Sequence, residues 1–445
     1  MGLLVSKMNK LAILGGAPVR TKIFPSYQTI GQEEKEAANK VFDSGILSNF
    51  IGAWHPNFYG GDRVIELEQK WADKYQARHA VSVNSATSGL YAAVGAVGVG
   101  PGDEVIVSPY TMSASVTAPL IFNAVPVFAD IDPDTYCLSA ETIREKITPR
   151  TKAIIVVHIF GQPADMDPIM QLAAKHNLIV IEDCAQVPMA TYGGRPVGTL
   201  GHMGVFSLNY HKHIHCGEGG IVTTNDENFC ERLMYIRNHA EAVAAAKMPN
   251  TLVNMIGFNF RLGEIEAAIA ISQLDKADVL VEQRIENVKY LESKLDGIDC
   301  LNMPHVTNLN RHVYYVHALK YDPMQGGVSR DTVVDALKAE LPSTELREKE
   351  GALIGKGYVK PLYHLPIFQN QMAYGNLKCP FQCPHYEGTI DYAPGLCPNA
   401  EKAHFKQVIT HELMRPGMSI CDLNDVANAF HKVFENLDQL QSLQS

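Results

Sequence analysis

Two rhythms of apolar and polar residues run along this chain, and the change comes near residue 80. Before it, residues 31–43 (GQEEKEAANKVFD) and 63–78 (RVIELEQKWADKYQAR) place apolar side chains at helical spacing and predict two helices. The stretch between them, 44–62, is rich in Gly, Ser and aromatic residues and predicts a loop. After residue 80, short β-branched runs alternate with helical stretches. AVSV, DEVIV, VPVF, AIIVV and LIVIE read as strands. Residues 85–97, SAETIREKI and DPIMQLAAKHN read as helices, with Ser139 suited to start the second. Fully apolar strands alternating with helices predict a parallel sheet covered on both faces. Ligands on such a sheet gather beyond the carboxyl ends of its strands, so chemistry is expected just after VSV, VSP, VVH and VIED.

A long helical pattern follows over 261–295, and then HVYYVHALKY opens a mixed region that predicts a smaller α+β unit. The expected division is an N-terminal segment and loop (1–62), a large domain (63–295) and a small C-terminal domain (296–445). Residues 369–400, rich in Pro, Gly, Asn and Cys, are expected to form a long loop inside the second unit. The 445 residues carry 38 Lys and Arg against 48 Asp and Glu, a net charge of −10. With no basic block, that charge argues against nucleic acid or an anionic membrane as a partner, but leaves room for local basic sites. No run approaches the roughly 20 apolar residues of a membrane span. MGLLVSKMNKLAILGG lacks the leader pattern of a signal peptide; its loose myristoylation match reads as an ordinary start. Nine cysteines, an odd number with six of them widely scattered, match usage in a reducing compartment and predict a cytoplasmic protein.

Three stretches carry the candidate chemistry. In FSLNYHKHIHCGEGG (206–220), Lys212 sits among three histidines before a Gly-rich turn. A lysine amine can be a nucleophile or form a Schiff base; it can equally be a surface group in a basic turn. In LIVIEDCAQ (178–186), Asp183 ends an apolar strand. A carboxylate there needs a cation or a donor, which a protonated pyridine nitrogen, an Arg or the next helix would each supply. In VNSATSGLYAAV (83–94), small and hydroxyl residues open a helix directly after a strand, a natural phosphate cradle or an ordinary cap. Together the three meet the needs of pyridoxal phosphate (PLP): phosphate, ring nitrogen and aldehyde.

With these segments on view, the chain resembles the DegT/DnrJ/StrS-type PLP-dependent aminotransferases that act on keto-sugars and cyclitols. The likeness runs from LAILGGAPVR through VNSATSGL, DEVIVSPYT, PVFADIDPDTY, IEDCAQ, FSLNYHKHIHCGEGG and RNHAE to GFNFRLGEIEAA, and continues through KPLYHLPIF and CPNAEK. It implies a PLP fold-type-I (aspartate-aminotransferase-like) α/β architecture, with a parallel-rich sheet and a smaller C-terminal α+β domain. It implies that Lys212 holds PLP as a Schiff base and shuttles a proton. Asp183 would partner the pyridine nitrogen, and Gln186 would lie beside the ring's phenolic oxygen. Ala86, Thr87 and Ser207 would hold the phosphate, and Asn259 would reach the cofactor of a neighbouring subunit in a homodimer with composite sites. Glutamate or glutamine would convert PLP to its pyridoxamine form, which then aminates a sugar or cyclitol ketone. One departure stands out. Met112 occupies the place where the family usually has an aromatic over the ring, with Tyr110 and His158 as alternatives.

Other residues have weaker claims. An extended segment would turn His211, His213 and His215 to the face opposite Lys212; they are expected to be structural or to line the substrate entrance, not to bind a metal. Cys379, Cys383, His385 and Cys397 have an irregular zinc-like spacing and are expected to be free thiols in a loop. Arg195, Arg237 and Arg261 could contact carboxylate or phosphate, or form structural ion pairs. A PLP- or pyridoxamine-dependent dehydratase or epimerase, and a non-catalytic protein of the same fold, are the alternatives; relatives that dehydrate sugars replace the lysine with His, and this chain has Lys212.

Overall fold

The computed structural model describes residues 10–247, 253–307 and 310–443. The MGLLVS start, with its myristoylation match, lies outside the described residues. Two helices come first, α1 (Gln32–Ser44) and α2 (Asp62–Tyr75), at the positions expected from helical spacing. The main sheet is then built from β1 (His79–Val83), β2 (Glu104–Val107), β3 (Val125–Phe128), β4 (Thr151–Val157), β5 (Ile179–Asp183), β8 (Met203–Ser207) and β9 (Gly220–Thr224). A two-strand ribbon, β6 (Thr191–Tyr192) and β7 (Arg195–Pro196), stands apart from it.

The order across the sheet is β1-β9-β8-β5-β4-β2-β3. Pairs from β8 to β3 are parallel, whereas β9 runs antiparallel to both β1 and β8. The parallel strands bury nearly every residue, as Val- and Ile-rich strands covered on both faces must. Among the helices that cover them are α3 (Ala86–Val97), α4 (Ala114–Ile121), α5 (Ala140–Arg144), α6 (Met166–His176) and α7 (Glu227–Arg237). Ser85 caps α3 by accepting from the Ser88 N–H, and Ser139 caps α5 through Thr142. The family-level expectation of a PLP fold-type-I α/β architecture holds.

The long helix α8 (Glu264–Leu295) packs against α1 and α2 and leads to a second sheet. Its order is β10 (Leu301–Asn302), β11 (His317–Tyr321), β13 (Val408–His411) and β12 (Ile354–Lys356), all antiparallel. Helices α9 (Arg330–Glu340) and α10 (Ile420–Phe434) cover it.

Residues 369–400 do not stay with this second sheet. Tyr392 Oη donates to the Pro126 carbonyl on β3 at 2.7 Å, and Tyr386 Oη to Glu104 Oε1 on β2 at 2.9 Å. Phe128 packs edge-on against Phe368 and Tyr392. The segment thus covers the outer edge of the main sheet, where an open strand would otherwise expose unpaired backbone groups.

Candidate active site

The carboxyl ends of β1 and β8 flank the start of β9. Gly220, its first residue, is the register partner of both Val83 on β1 and Ser207 on β8. A Cβ on Gly220 would lie 2.7 Å from the Ala86 nitrogen and 2.7 Å from the Ser85 carbonyl carbon. The missing side chain therefore lets the start of α3 sit directly on the strand end, beside Ser207. Gly89, inside α3, has a related role, because a Cβ there would meet Val205 at 2.8 Å.

Asp183 ends β5, two strands from β9. It is 5% exposed. Its Oδ2 accepts from Ser115 Oγ at 2.6 Å and its Oδ1 from the Ala185 N–H at 3.1 Å. The preceding carboxylate, Glu182, faces the other side of the sheet, as strand alternation requires. Its oxygens accept from the N–H groups of Gly198, Leu200 and Gly201 and meet His158 Nε2 at 3.0 Å. His158 Nδ1 accepts from the Ala164 N–H, so Nε2 carries the proton given to Glu182.

Lys212 lies in the β8–β9 connection. That loop is closed by Leu208 N–H to Gly219 O at 2.9 Å, Cys216 N–H to Leu208 O at 3.0 Å and Tyr210 N–H to Gly217 O at 3.0 Å. The segment is a turn, not extended chain, so its histidines do not share one face opposite Lys212. His211 lines the same cleft as Lys212. His213 is fully buried with Nε2 2.8 Å from the Val313 carbonyl, and burial pushes its basicity far down. The His215 backbone N–H donates to Gln273.

Ala86, Thr87, Met112, Asp183, Gln186, Ser207 and Lys212 all line one cleft of about 320 Å³. Gln186 Oε1 accepts from the Phe160 N–H at 2.7 Å, and its Nε2 donates to Tyr358 Oη at 3.1 Å. Met112 is 60% exposed at the cleft wall. Tyr110 and His158 are fully buried and do not line the cleft. The aromatic walls come from the C-terminal region instead. Tyr315 lies with its ring centroid 4.3 Å from Lys212 Nζ, and Tyr358 stands beside Gln186. Burial holds the Tyr358 hydroxyl well above its ordinary range, so it stays protonated. Tyr315, Tyr358 and Ser115 escape sequence reasoning; the HVYYVH run marked a structural element without marking its tyrosines.

Asn259 is exposed and does not line its own chain's cleft; its backbone carbonyl accepts from Asn84 Nδ2 at 3.4 Å. Arg237 is a buried structural ion pair, with Nη1 2.5 Å from Glu68 Oε1. Arg195 pairs with Asp167 at 2.6 Å, and Arg261 Nη2 lies 3.0 Å from His239 Nε2. None of these three guanidiniums lines the Lys212 cleft. Cys379 and Cys383 lie side by side, but Cys397 and His385 do not join them in a ligand set. The metal-competent cluster among the described residues is His158, Glu182 and Cys184, where backbone N–H groups already take up the carboxylate. All nine cysteines are free thiols.

A small-molecule cleft with a fixed lysine, a buried carboxylate and a helix N-terminus can hold a phosphorylated, electron-accepting ring and turn over a carbonyl or amine. Comparison with known proteins decides the class, because the sequence profile of the DegT/DnrJ/EryC1/StrS aminotransferase family matches residues 29–411. The chain belongs to this family. As a member it is an aminotransferase. It is 30% identical over 439 residues to the L-glutamine:2-deoxy-scyllo-inosose aminotransferase of Streptomyces kanamyceticus, covering 96% of this chain and 97% of that protein. It is 39% identical over 284 residues to the GDP-perosamine synthase of Caulobacter vibrioides, covering 63% and 74%. Among solved structures, the aminotransferase from Psychrobacter cryohalolentis superposes with a TM-score of 0.77 at 28% identity, over 93% of this chain and 100% of that one. No helix among the described residues of this family member is long and apolar enough to cross a membrane.

Proposed function

We infer that the chain moves an amino group from glutamate or glutamine to a ketone carbon of a sugar, nucleotide-linked or free, or of a cyclitol, with PLP in the Lys212 cleft. The observation that carries this is the meeting of Lys212, Asp183 and the N-terminus of α3 around one cleft of about 320 Å³. The residues fit the cofactor. The close approach at Gly220 leaves the first N–H groups of α3 beside Ser207, as an anion requires. Asp183 is a buried acceptor already oriented by Ser115 and Ala185. When bound, PLP supplies an aldehyde that takes up the donor's amine and a ring that accepts electron density.

The chain's own residues do the rest. Lys212 anchors the cofactor and then moves a proton at the substrate carbon. Asp183 keeps a proton on the ring nitrogen, with Ser115 and the Ala185 N–H holding its carboxylate in place. Ala86, Thr87 and Ser207 bind the phosphate, and Gln186 donates beside the phenolic oxygen. Met112 covers the outer ring face. Residues 63–295 carry the cofactor, and 296–445 close over it with Tyr315 and Tyr358, which exclude water from the lysine. Exposure of Asn259 away from its own cleft supports a homodimer in which it reaches the neighbouring subunit's phosphate. Nine free thiols support a cytoplasmic setting.

The test is spectroscopic. Wild-type protein with PLP is expected to show the near-visible band of a lysine-bound cofactor and to release 2-oxoglutarate when given glutamate and a keto-sugar or keto-cyclitol. Lys212→Ala is expected to lose both. An unchanged spectrum in the variant removes the assignment of Lys212.

A further inference from the structure

Two cysteine sulfurs meet over one amide at the edge of the main sheet. Asn123 lies between α4 and β3, and its Nδ2 donates to Cys383 Sγ at 3.8 Å. The same side chain hydrogen-bonds Cys379, and the two thiols hydrogen-bond each other. Both cysteines belong to the capping segment 369–400, none of whose residues lines the Lys212 cleft.

Local backbone bonds coil the chain so that these two residues face one another. The Gln382 N–H donates to the Lys378 carbonyl at 3.1 Å, and the Cys383 N–H to the Pro380 carbonyl at 3.4 Å. The Tyr374 N–H holds the Cys379 carbonyl at 2.9 Å on one side. On the other, the Tyr386 N–H donates to the Cys383 carbonyl at 2.9 Å, and Tyr386 Oη reaches Glu104 on β2. The turn that pairs the sulfurs is therefore also the turn that seats the cap. Cys383 is buried and Cys379 half-buried, so the pair reaches solvent through Cys379.

The two sulfurs differ from the buried thiols elsewhere. Burial pushes the thiols of Cys137, Cys184, Cys216, Cys230, Cys300 and Cys397 up and keeps them protonated. Cys383 instead receives the His385 N–H, the Cys379 S–H and the Asn123 amide, and these donors hold its thiol below the ordinary value. Cys379, which gives its proton to that contact, is held above. One sulfur is thus poised to attack and its neighbour to resolve the product.

We propose that Cys379 and Cys383 are a peroxide-oxidisable dithiol whose disulfide clasps the cap to the sheet edge. The Cys383 thiolate attacks one oxygen of hydrogen peroxide and the O–O bond breaks. With one proton from solvent, the products are a sulfenic acid and water. The Cys379 sulfur then attacks the Cys383 sulfur, the S–O bond breaks, and the hydroxyl leaves as water with the Cys379 proton. Two thiols lose two electrons to form one S–S bond, and one peroxide is reduced to two waters. In a reducing compartment such a bond is transient, as sensing disulfides are.

Tryptic cleavage after Lys378 and Lys402 puts Cys379, Cys383 and Cys397 on one peptide, so the third thiol is an internal control. PLP-loaded protein treated with a small molar excess of hydrogen peroxide, then denatured in iodoacetamide, is expected to give this peptide with one label, on Cys397. Dithiothreitol before labelling is expected to restore all three labels. With dimedone present, Cys379→Ser is expected to carry the sulfenic adduct on Cys383, about tenfold more than Cys383→Ser carries on Cys379. Chymotryptic cleavage within 369–400 is expected to be about tenfold slower in oxidised than in reduced wild-type protein. The proposal is overturned if peroxide-treated wild type keeps three labels, if the bond formed includes Cys397, if dimedone marks Cys379 in preference to Cys383, or if both forms are cut at equal rates.

Discussion

Glu182 and Asp183 are adjacent acids with opposite tasks. Both lie at the end of an apolar strand, where the sequence marks Asp183 alone as a candidate. Alternation along β5 sends one into the wall, where three N–H groups hold it, and the other into the cleft. Asp183 was legible because a strand end on a parallel sheet is where ligands collect. Ser115 was not, because its link to Asp183 spans 68 residues and depends on how α4 docks. Ser115→Ala leaves a buried carboxylate oxygen without its donor, a loss of about 1–3 kcal/mol. We expect fluorimetric titration to show PLP affinity about tenfold weaker in this variant and restored in Ser115→Thr. Equal affinity in all three proteins would mean that Ser115 does not position Asp183.

At the scale of elements, the phosphate cradle is a helix start pressed onto a strand end. Residues 83–94 announced the helix start through their small and hydroxyl residues. The closeness of α3 to β9 was hidden, because one glycine in a Gly-rich turn looks like the next. Gly220 differs from Gly100, whose Cβ would meet open space. Gly220→Ala pushes a methyl into the backbone of Ser85 and Ala86, and overpacking of this kind costs about 1–3 kcal/mol. A lowered urea midpoint together with weaker PLP binding is expected, with Gly100→Ala close to wild type in both. The lysine loop teaches the same lesson. Extended chain would put alternating His and Lys on opposite faces, but backbone bonds that close the connection fold it into a turn and bring His211 to the lysine's side.

Over the whole molecule, the two sheets share their cores. Val316, Ala318, Tyr363 and Phe368 pack with the residues of the main sheet, and α2 packs with residues of the second. Closure between them buries neutral histidines. His312 Nδ1 accepts from the Tyr314 N–H at 2.9 Å, and burial, then His317, push it down to about 3. Its unfolded value is near 6.5, so below that pH the unfolded chain binds a proton that the folded chain refuses. Stability from this group is therefore complete above about pH 6.5 and declines as pH falls towards 3. Between pH 7 and pH 5 the loss is about 2 kcal/mol. In His312→Asn, which keeps an acceptor for Tyr314, we expect the drop in urea stability over that range to be smaller by this amount. An identical drop in both proteins would exclude His312 as a source.

What the amino-acid sequence determined by itself was the parallel-rich sheet, the helix start at Ser85, the strand-end Asp183 and the presence of Lys212. Each is a local pattern, set by residue spacing along one element or one turn. Tertiary structure alone decided that Tyr315 and Tyr358 stand in the lysine's cleft, that 369–400 caps the edge of the main sheet, and that Tyr110 and His158 are buried away from the cleft. Those contacts join segments far apart in the chain, as in the 172-residue separation between Gln186 and Tyr358. No spacing rule encodes them; they follow from which apolar faces pack together when the two sheets close.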